Sequence, residues 1–139
     1  MKFKTFYGKT KNINISKYRI NWDAKEKSNI QFQVKRFLYP YWMNHIVCSE
    51  FPVVSSKMTL DFYNLTRGIA IEVQGSQHVQ YNAFFHNDKL SNFLSQLKRD
   101  VKKEEFCELN GIKLVEIFEE DIKEGLSKNW FLEKYNINL

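Results

Sequence analysis

Two strand-like runs, residues 58–64 and 69–74, stand on either side of Leu65-Thr66-Arg67-Gly68, and so short a gap leaves room for little but an antiparallel hairpin. The first run reads MTLDFYN and the second IAIEVQ. Side chains alternate along a strand, so Thr59, Asp61 and Tyr63 share one face of the first run, and Glu72 and Gln74 share one face of the second. If the turn is even-numbered and centred between Thr66 and Arg67, paired positions sum to 133 and Asp61 lies across from Glu72. Their β-carbons are then about 5 Å apart. An odd turn would send Glu72 to the opposite face. Two carboxylates that close repel each other unless positive charge lies between them. A hard divalent cation suits that position because it prefers oxygen ligands and keeps several waters; Mg²⁺ is the expectation, with Mn²⁺ as the alternative. Two exposed strand carboxylates, each alone on a solvated face, are the plainer reading of the same spacing.

The rest of the chain supplies partners for this hairpin. Ser28 can cap a helix running to about Trp42, with Ile30, Val34, Phe37, Leu38 and Tyr41 at helical spacing. Residues 46–54 look like a strand interrupted by Pro52. A longer helix is predicted over about 90–109, with Leu90, Phe93, Leu94, Leu97 and Val101 as its apolar stripe and Asn110-Gly111 as its left-handed end. Residues 113–118 form a fourth strand, and short helices follow around Asp121 and Trp130. The order helix, three strands, helix, strand predicts an α/β (α+β) fold, a mixed sheet flanked by helices. A chain of 139 residues is enough for one such domain, and 43% hydrophobic content fills its core. Apolar runs such as Ile69-Ala70-Ile71 are far shorter than the roughly 20 residues of a spanning helix, so no membrane partner is expected. Met1-Lys2-Phe3-Lys4 has no apolar stretch behind it and does not read as a secretion signal. Cys48 and Cys107 lack metal-ligand spacing, and the expectation is a cytoplasmic protein with both thiols reduced and buried.

Net charge is +5, and it is unevenly spread. Residues 1–27 hold eight Lys or Arg against Asp23 and Glu26, a sum of +6, while the other 112 residues sum to −1. With Phe3, Phe6, Tyr7, Tyr18 and Trp22 among them, residues 1–27 read as a DNA-contacting arm ahead of a core at 28–125, with 126–139 as a C-terminal helical extension. Lys9, Lys11, Lys17 and Arg19 are its candidate phosphate contacts, and a merely solvated lysine-rich terminus is the alternative. On the long helix, Arg99, Lys102 and Lys103 fall at i, i+3 and i+4 and form one basic edge, unless Glu104, Glu105 and Glu108 make it an ordinary salt-bridged surface. Gly75-Ser76-Gln77-His78 follows the hairpin, and an imidazole there can move a proton or hold a phosphate or water, although a lone loop histidine is more often structural.

LDFY at 60–63, IAIEVQGSQH at 69–78 and QLKRDVKKEEFCELNGIKLVEI at 96–117 together resemble the PD-(D/E)XK nuclease superfamily. More narrowly they resemble its phage-encoded free-standing homing endonucleases, which are related to very-short-patch repair nucleases. The resemblance covers roughly residues 19–125 and rests on Asp61, Glu72, Gln77-His78 and Arg99-Asp100 recurring in order. It implies a restriction-endonuclease-like αβββαβ core, double-stranded DNA as substrate and Mg²⁺ as cofactor. It also implies Asp61, Glu72 and the Val73 carbonyl as metal ligands, and hydrolysis of a DNA phosphodiester in the bacterial host of a phage. The lysine expected two residues after the glutamate is Gln74 here, which would orient the attacking water rather than deprotonate it. The superfamily's first helix often adds an acid; this one offers Gln31 and Gln33, while Glu50 sits on the first strand. His78 and Asp100 are expected to assist, with Ser76 and Gln77 beside them, and Arg99 or Lys103 to stabilise developing charge. One active site per chain implies a homodimer or larger symmetric assembly for cutting both strands. Two alternatives stand beside this reading. One is a structure-selective nuclease, either a junction resolvase or a mismatch nickase. The other is a non-catalytic DNA-binding protein on a nuclease fold.

Overall fold

The computed structural model describes residues 1–75 and 87–139, without the side chains of 87–90, 92 and 93. The hairpin is formed by β4 (Thr59–Asn64) and β5 (Ile69–Gln74), paired antiparallel with Phe62 opposite Ile71, Tyr63 opposite Ala70 and Asn64 opposite Ile69. Each pair sums to 133, so the turn is even-numbered. Asn64 closes it, its side-chain oxygen accepting from Arg67 N at 2.9 Å and its carbonyl from Gly68 N at 2.9 Å. Gly68, at φ 67°, takes the left-handed conformation that favours glycine.

The sheet order is β3-β4-β5-β6, with β3 (Val47–Pro52) antiparallel to β4 and β6 (Lys113–Phe118) parallel to β5. Pro52, which cannot donate to a ladder, ends the edge strand β3 opposite Thr59. The parallel connection from β5 to β6 includes helix α2 (Asn87–Leu109), and Gly111 at φ 64° turns the chain after it. Helix α1 (Asn29–Trp42) starts at Ser28, whose hydroxyl accepts from Gln31 N at 3.2 Å. Two short helices, α3 (Glu119–Glu124) and α4 (Lys128–Tyr135), finish the chain. The element order α1, β3, β4, β5, α2, β6 is the helix, three strands, helix and strand expected, and the fold is of the α/β class.

Both faces of the sheet are covered. On one, Phe62, Ile69, Ile71, Val115 and Ile117 pack with Val34, Leu38 and Trp42 of α1 and Phe131 of α4. On the other, Tyr63 and Ala70 pack with Phe106 and Cys107 of α2 and with Phe3 and Ile13. Cys48 and Cys107 are free and buried.

Two expectations about packing are corrected. Residues 1–27 are not an arm outside the core. They contain β1 (Lys2–Lys4) paired with β2 (Thr10–Asn12), and Phe3 is 2% exposed with its ring 5.2 Å from that of Phe51 and 6.1 Å from that of Phe106. Further along, Ile20 N donates to Val47 O at 2.9 Å, and buried Lys35 binds the carbonyls of Asn21 and Ala24 and the carboxylate of Glu26. Of the aromatics reserved for DNA, Phe3 and Tyr18 contact Phe51, and Trp22 stacks on Tyr39; Tyr7 is exposed. The apolar character that made these rings attractive for bases is what the core uses. Residues 126–139 carry helix α4, in keeping with the helical extension expected, and pack onto the body, with Phe131 and Ile137 buried and Arg67 donating to Asn138 O at 2.7 Å. On α2, Leu94, Leu97 and Val101 are about half exposed, and the side chains of Leu90 and Phe93 lie outside those described. Among the described side chains, Phe106 and Cys107, near the C-terminal end, pack in the core against the sheet. A stripe read from spacing alone does not say how much of a helix lies over the sheet.

Phe3→Ala should therefore cost about 3–5 kcal/mol of folding stability, the range for emptying a buried aromatic site. Urea unfolding measures this, and a loss below about 1 kcal/mol would make the N-terminal hairpin peripheral after all.

Candidate active site

The β4–β5 backbone ladder stops at Phe62 and Ile71, and the next rung outward is Asp61 opposite Glu72. There the side chains take over from the ladder. Asp61 N donates to Glu72 Oε1 at 3.2 Å, and Val73 N donates to Asp61 Oδ2 at 2.8 Å. Each acid thus satisfies a backbone N–H of the opposite strand, which fixes both carboxyl groups without a direct bond between them. Lys103 reaches in from α2, its Nζ 3.1 Å from Glu72 Oε2.

Glu72 is 4% exposed, and burial, followed by the nearby charge of Asp61, pushes its carboxyl up to about 8 against the pull of Lys103. Burial also raises Asp61, helped by the charge of Glu50 and opposed by the Val73 hydrogen bond, Lys103 and Lys27. A buried pair of acids held this way disfavours full ionisation unless more positive charge arrives. Without divalent ions, the folded chain keeps a proton on Glu72 that the unfolded chain has released above its ordinary value of 4.5. Folding stability in EDTA should then fall as pH rises from about 4.5 toward 8, by at most about 1.4 kcal/mol per pH unit. Urea melts at pH 5, 6.5 and 8 test this. A stability that is flat or rising over that window would mean the carboxyl is hydrated.

Glu50 occupies the neighbouring strand. It has φ 49°, a left-handed conformation rare for a residue with a side chain. Its carboxylate accepts from Thr59 Oγ1 at 2.8 Å, Lys27 Nζ at 3.0 Å and Gln31 Nε2 at 3.2 Å. Burial works to raise Glu50, but these three donors outweigh it and hold the group ionised below its ordinary range. Gln31 of α1 thus touches Glu50, while Gln33 is exposed. Glu116 of β6 stands in register with Glu72, so a row of acids runs across β5 and β6 as well as β4. Glu116 is raised by burial and then by the charges of Asp100 and Glu104, so its surroundings are themselves acidic.

The residues singled out from sequence separate into groups. Asp61 and Lys103 each bind Glu72. Gln74 is half-buried on β5, two residues beyond Glu72 on the same face, opposite Phe118. The basic edge of α2 is split: Lys103 turns inward, while Arg99, bound to Gln96, and Lys102 are exposed. Asp100 accepts from Gln96 at 3.0 Å. Lys9, Lys11, Lys17 and Arg19 are exposed. Ser76, Gln77 and His78 lie outside the described residues. Sequence reasoning missed the pairing of Lys103 with Glu72, because 31 residues separate them and only the α2 crossover brings them together. It also missed Glu116, for which the parallel register with Glu72 is the only signal and is invisible before β6 is placed.

Oxygen donors alone, two of them carboxylates at a shared rung, fit a hard divalent cation, which needs only one or two protein carboxylates and completes its shell with water. Among the described residues there is no group of three or more His, Cys, Asp or Glu placed to hold a metal.

The fold and its acid pair define an α/β protein with a carboxylate site at the splayed end of a hairpin. It is similar to Uncharacterized protein 033L of Invertebrate iridescent virus 3, 35% identical over 66 residues, and to Uncharacterized protein 094L of Frog virus 3, 36% identical over 66 residues. Each match covers 48% of this chain, and 34% and 43% of the respective viral proteins. No family model and no solved structure matches the chain. No described helix is long and apolar enough to cross a membrane.

Proposed function

We propose that the chain is a virus-encoded, metal-dependent DNA endonuclease of the PD-(D/E)XK type, with Asp61 and Glu72 as its metal ligands. The observation that carries this reading is the shared rung. Two largely buried acids, each bonded to the opposite strand's backbone, have their carboxyl groups raised by burial, and Lys103 is in contact with Glu72. The αβββαβ order, restriction-endonuclease-like in sequence, supports it.

Asp61, Glu72 and the Val73 carbonyl would hold Mg²⁺ or Mn²⁺, which when bound polarises a phosphate and lowers the pKa of water. The chain's own groups do the rest. Lys103 keeps a positive charge beside Glu72, where charge on a phosphate builds up. Gln74 shares the face of Glu72 and can orient a water by hydrogen bonding, but has no basic site to take its proton. Gln31, Thr59 and Lys27 hold Glu50 ionised, and its charge bears on Asp61. Exposed Lys9, Lys11, Lys17, Arg19, Arg99 and Lys102 attract the DNA backbone. The enzyme cuts a specific duplex sequence, as homing endonucleases do, and works as a symmetric homodimer inside the infected cell.

The test is purified protein with linear duplex DNA, with Mg²⁺ or EDTA, followed by mapping of the ends. Discrete metal-dependent ends are expected. Cleavage confined to four-way junctions or mismatches would make the enzyme structure-selective. Binding without any cleavage would leave a non-catalytic DNA-binding protein.

A further inference from the structure

We propose that the hollow between the N-terminal hairpin and the β3–β4 loop is a subsite for a phosphodiester of the DNA strand, lying one or two nucleotides from the bond that is cut. This rests on the nuclease reading above and adds a location for the strand. The hollow has a volume of about 340 Å³, with Lys11, Lys17, Tyr18, Pro52, Ser55 and Ser56 among its walls. Its charge has one sign. Residues 1–22 hold six Lys or Arg and no acid, and residues 51–60 add Lys57 and again no acid.

The loop wall is fixed in advance. Ser56 Oγ donates to Val53 O at 2.7 Å and accepts from Met58 N at 3.1 Å, while Val53 N donates to Met58 O at 2.9 Å. Ser55 turns the chain at φ 65° and is exposed. The lining also includes buried Ile13 and Val53, so the hollow is mixed, with cations at its rim and apolar groups at its base. A bare inorganic anion has no use for an apolar base. A nucleotide unit does, with its phosphate on the lysines and its sugar against the Tyr18 and Pro52 rings.

Position sets the distance from the chemistry. Pro52 lies two residues from Glu50 on β3 and opposite Thr59, which binds Glu50. Two strand residues span about 7 Å, or about two base steps of axial rise. The Pro52 wall of the hollow therefore stands near the Glu50 end of the acid row, and a strand gripped there is held in register with it. The hollow takes no part in bond breaking.

The test compares wild-type protein, K11A/K17A and the control K2A/K4A, which removes the same charge from β1. Labelled duplex containing the mapped site is titrated in EDTA at several salt concentrations. K11A/K17A should bind roughly 10-fold to 100-fold more weakly and lower the slope of log affinity against log salt by about one to two units, and K2A/K4A should lose far less. A single neutral methylphosphonate one or two nucleotides from the cut should weaken wild-type binding and leave K11A/K17A binding unchanged. Equal losses in the two double variants, or a methylphosphonate effect that persists in K11A/K17A, would overturn the subsite. Competition by inorganic phosphate at matched ionic strength would make the hollow a free-anion site and also overturn it. If the wild type cuts DNA and K11A/K17A binds like the control, only the subsite fails. If the wild type neither binds nor cuts DNA, the nuclease reading falls with it.

Discussion

Asp61→Asn and Glu72→Gln should each reduce Mg²⁺-dependent cleavage by at least about 10³-fold, the scale on which preorganised charge at a reacting phosphate acts. The substitutions are nearly isosteric, and each keeps the bond that orders the site. The asparagine amide retains an oxygen to accept from Val73 N, and the glutamine amide retains one to accept from Asp61 N. What changes is charge, and with it the ability to hold a divalent cation. DNA affinity in EDTA should be unchanged for Glu72→Gln, whose carboxyl already carries a proton without metal below about pH 8, and should stay the same or rise slightly for Asp61→Asn, which removes a carboxylate near the phosphates. Single-turnover cleavage beside a binding titration separates these effects. Near-normal cleavage by either variant in Mg²⁺ would mean that the ligands are elsewhere. Loss of binding as well would mean that the substitution had damaged the fold.

That expectation depends on a register only half-legible in the sequence. The alternation in TLDFYN and IAIEVQ can be read from the chain, while the even turn that sets Asp61 across from Glu72 is supplied by the fold. The information is local, spanning 16 residues, and a slip by one would move every side chain of a strand to the opposite face of the sheet. The α1 boundaries are legible for the same reason, through the Ser28 cap and a 3.6-residue period. The N-terminal segment is not. Its lysines are exposed and its Phe3 is buried, and composition averages the two. Only the three-residue pairing of β1 with β2, too short to leave a periodic signal, determines which side chains turn inward. The role of Glu50 is half-legible. Its place on the first strand can be read, but the donors that hold it come from Lys27, Gln31 and Thr59, on three separate stretches of chain.

Lys103 is where the sequence and the folded site differ most in consequence. Read along the chain, the site lacks the lysine expected at position 74, and Gln74 leaves it short of one positive charge. In the folded chain an ammonium is present, 3.1 Å from Glu72, delivered by α2. If that charge does the work the missing lysine would have done, Lys103→Met should slow single-turnover cleavage by about 10²-fold to 10³-fold, with little change in duplex affinity. Arginine at 103 should restore less than lysine does, because its planar fork does not fit a site shaped for a compact charge. The stronger test moves the charge. Adding Gln74→Lys to Lys103→Met returns an ammonium to the same face of β5 and should recover roughly tenfold or more of the lost rate. Gln74→Lys alone, with two ammonium groups at one carboxylate pair, should gain nothing. A double variant as slow as Lys103→Met would separate the two positions and leave Lys103 as a structural partner of Glu72. In that case Lys103→Met should show its cost in urea unfolding instead, and the rate should follow the folded fraction.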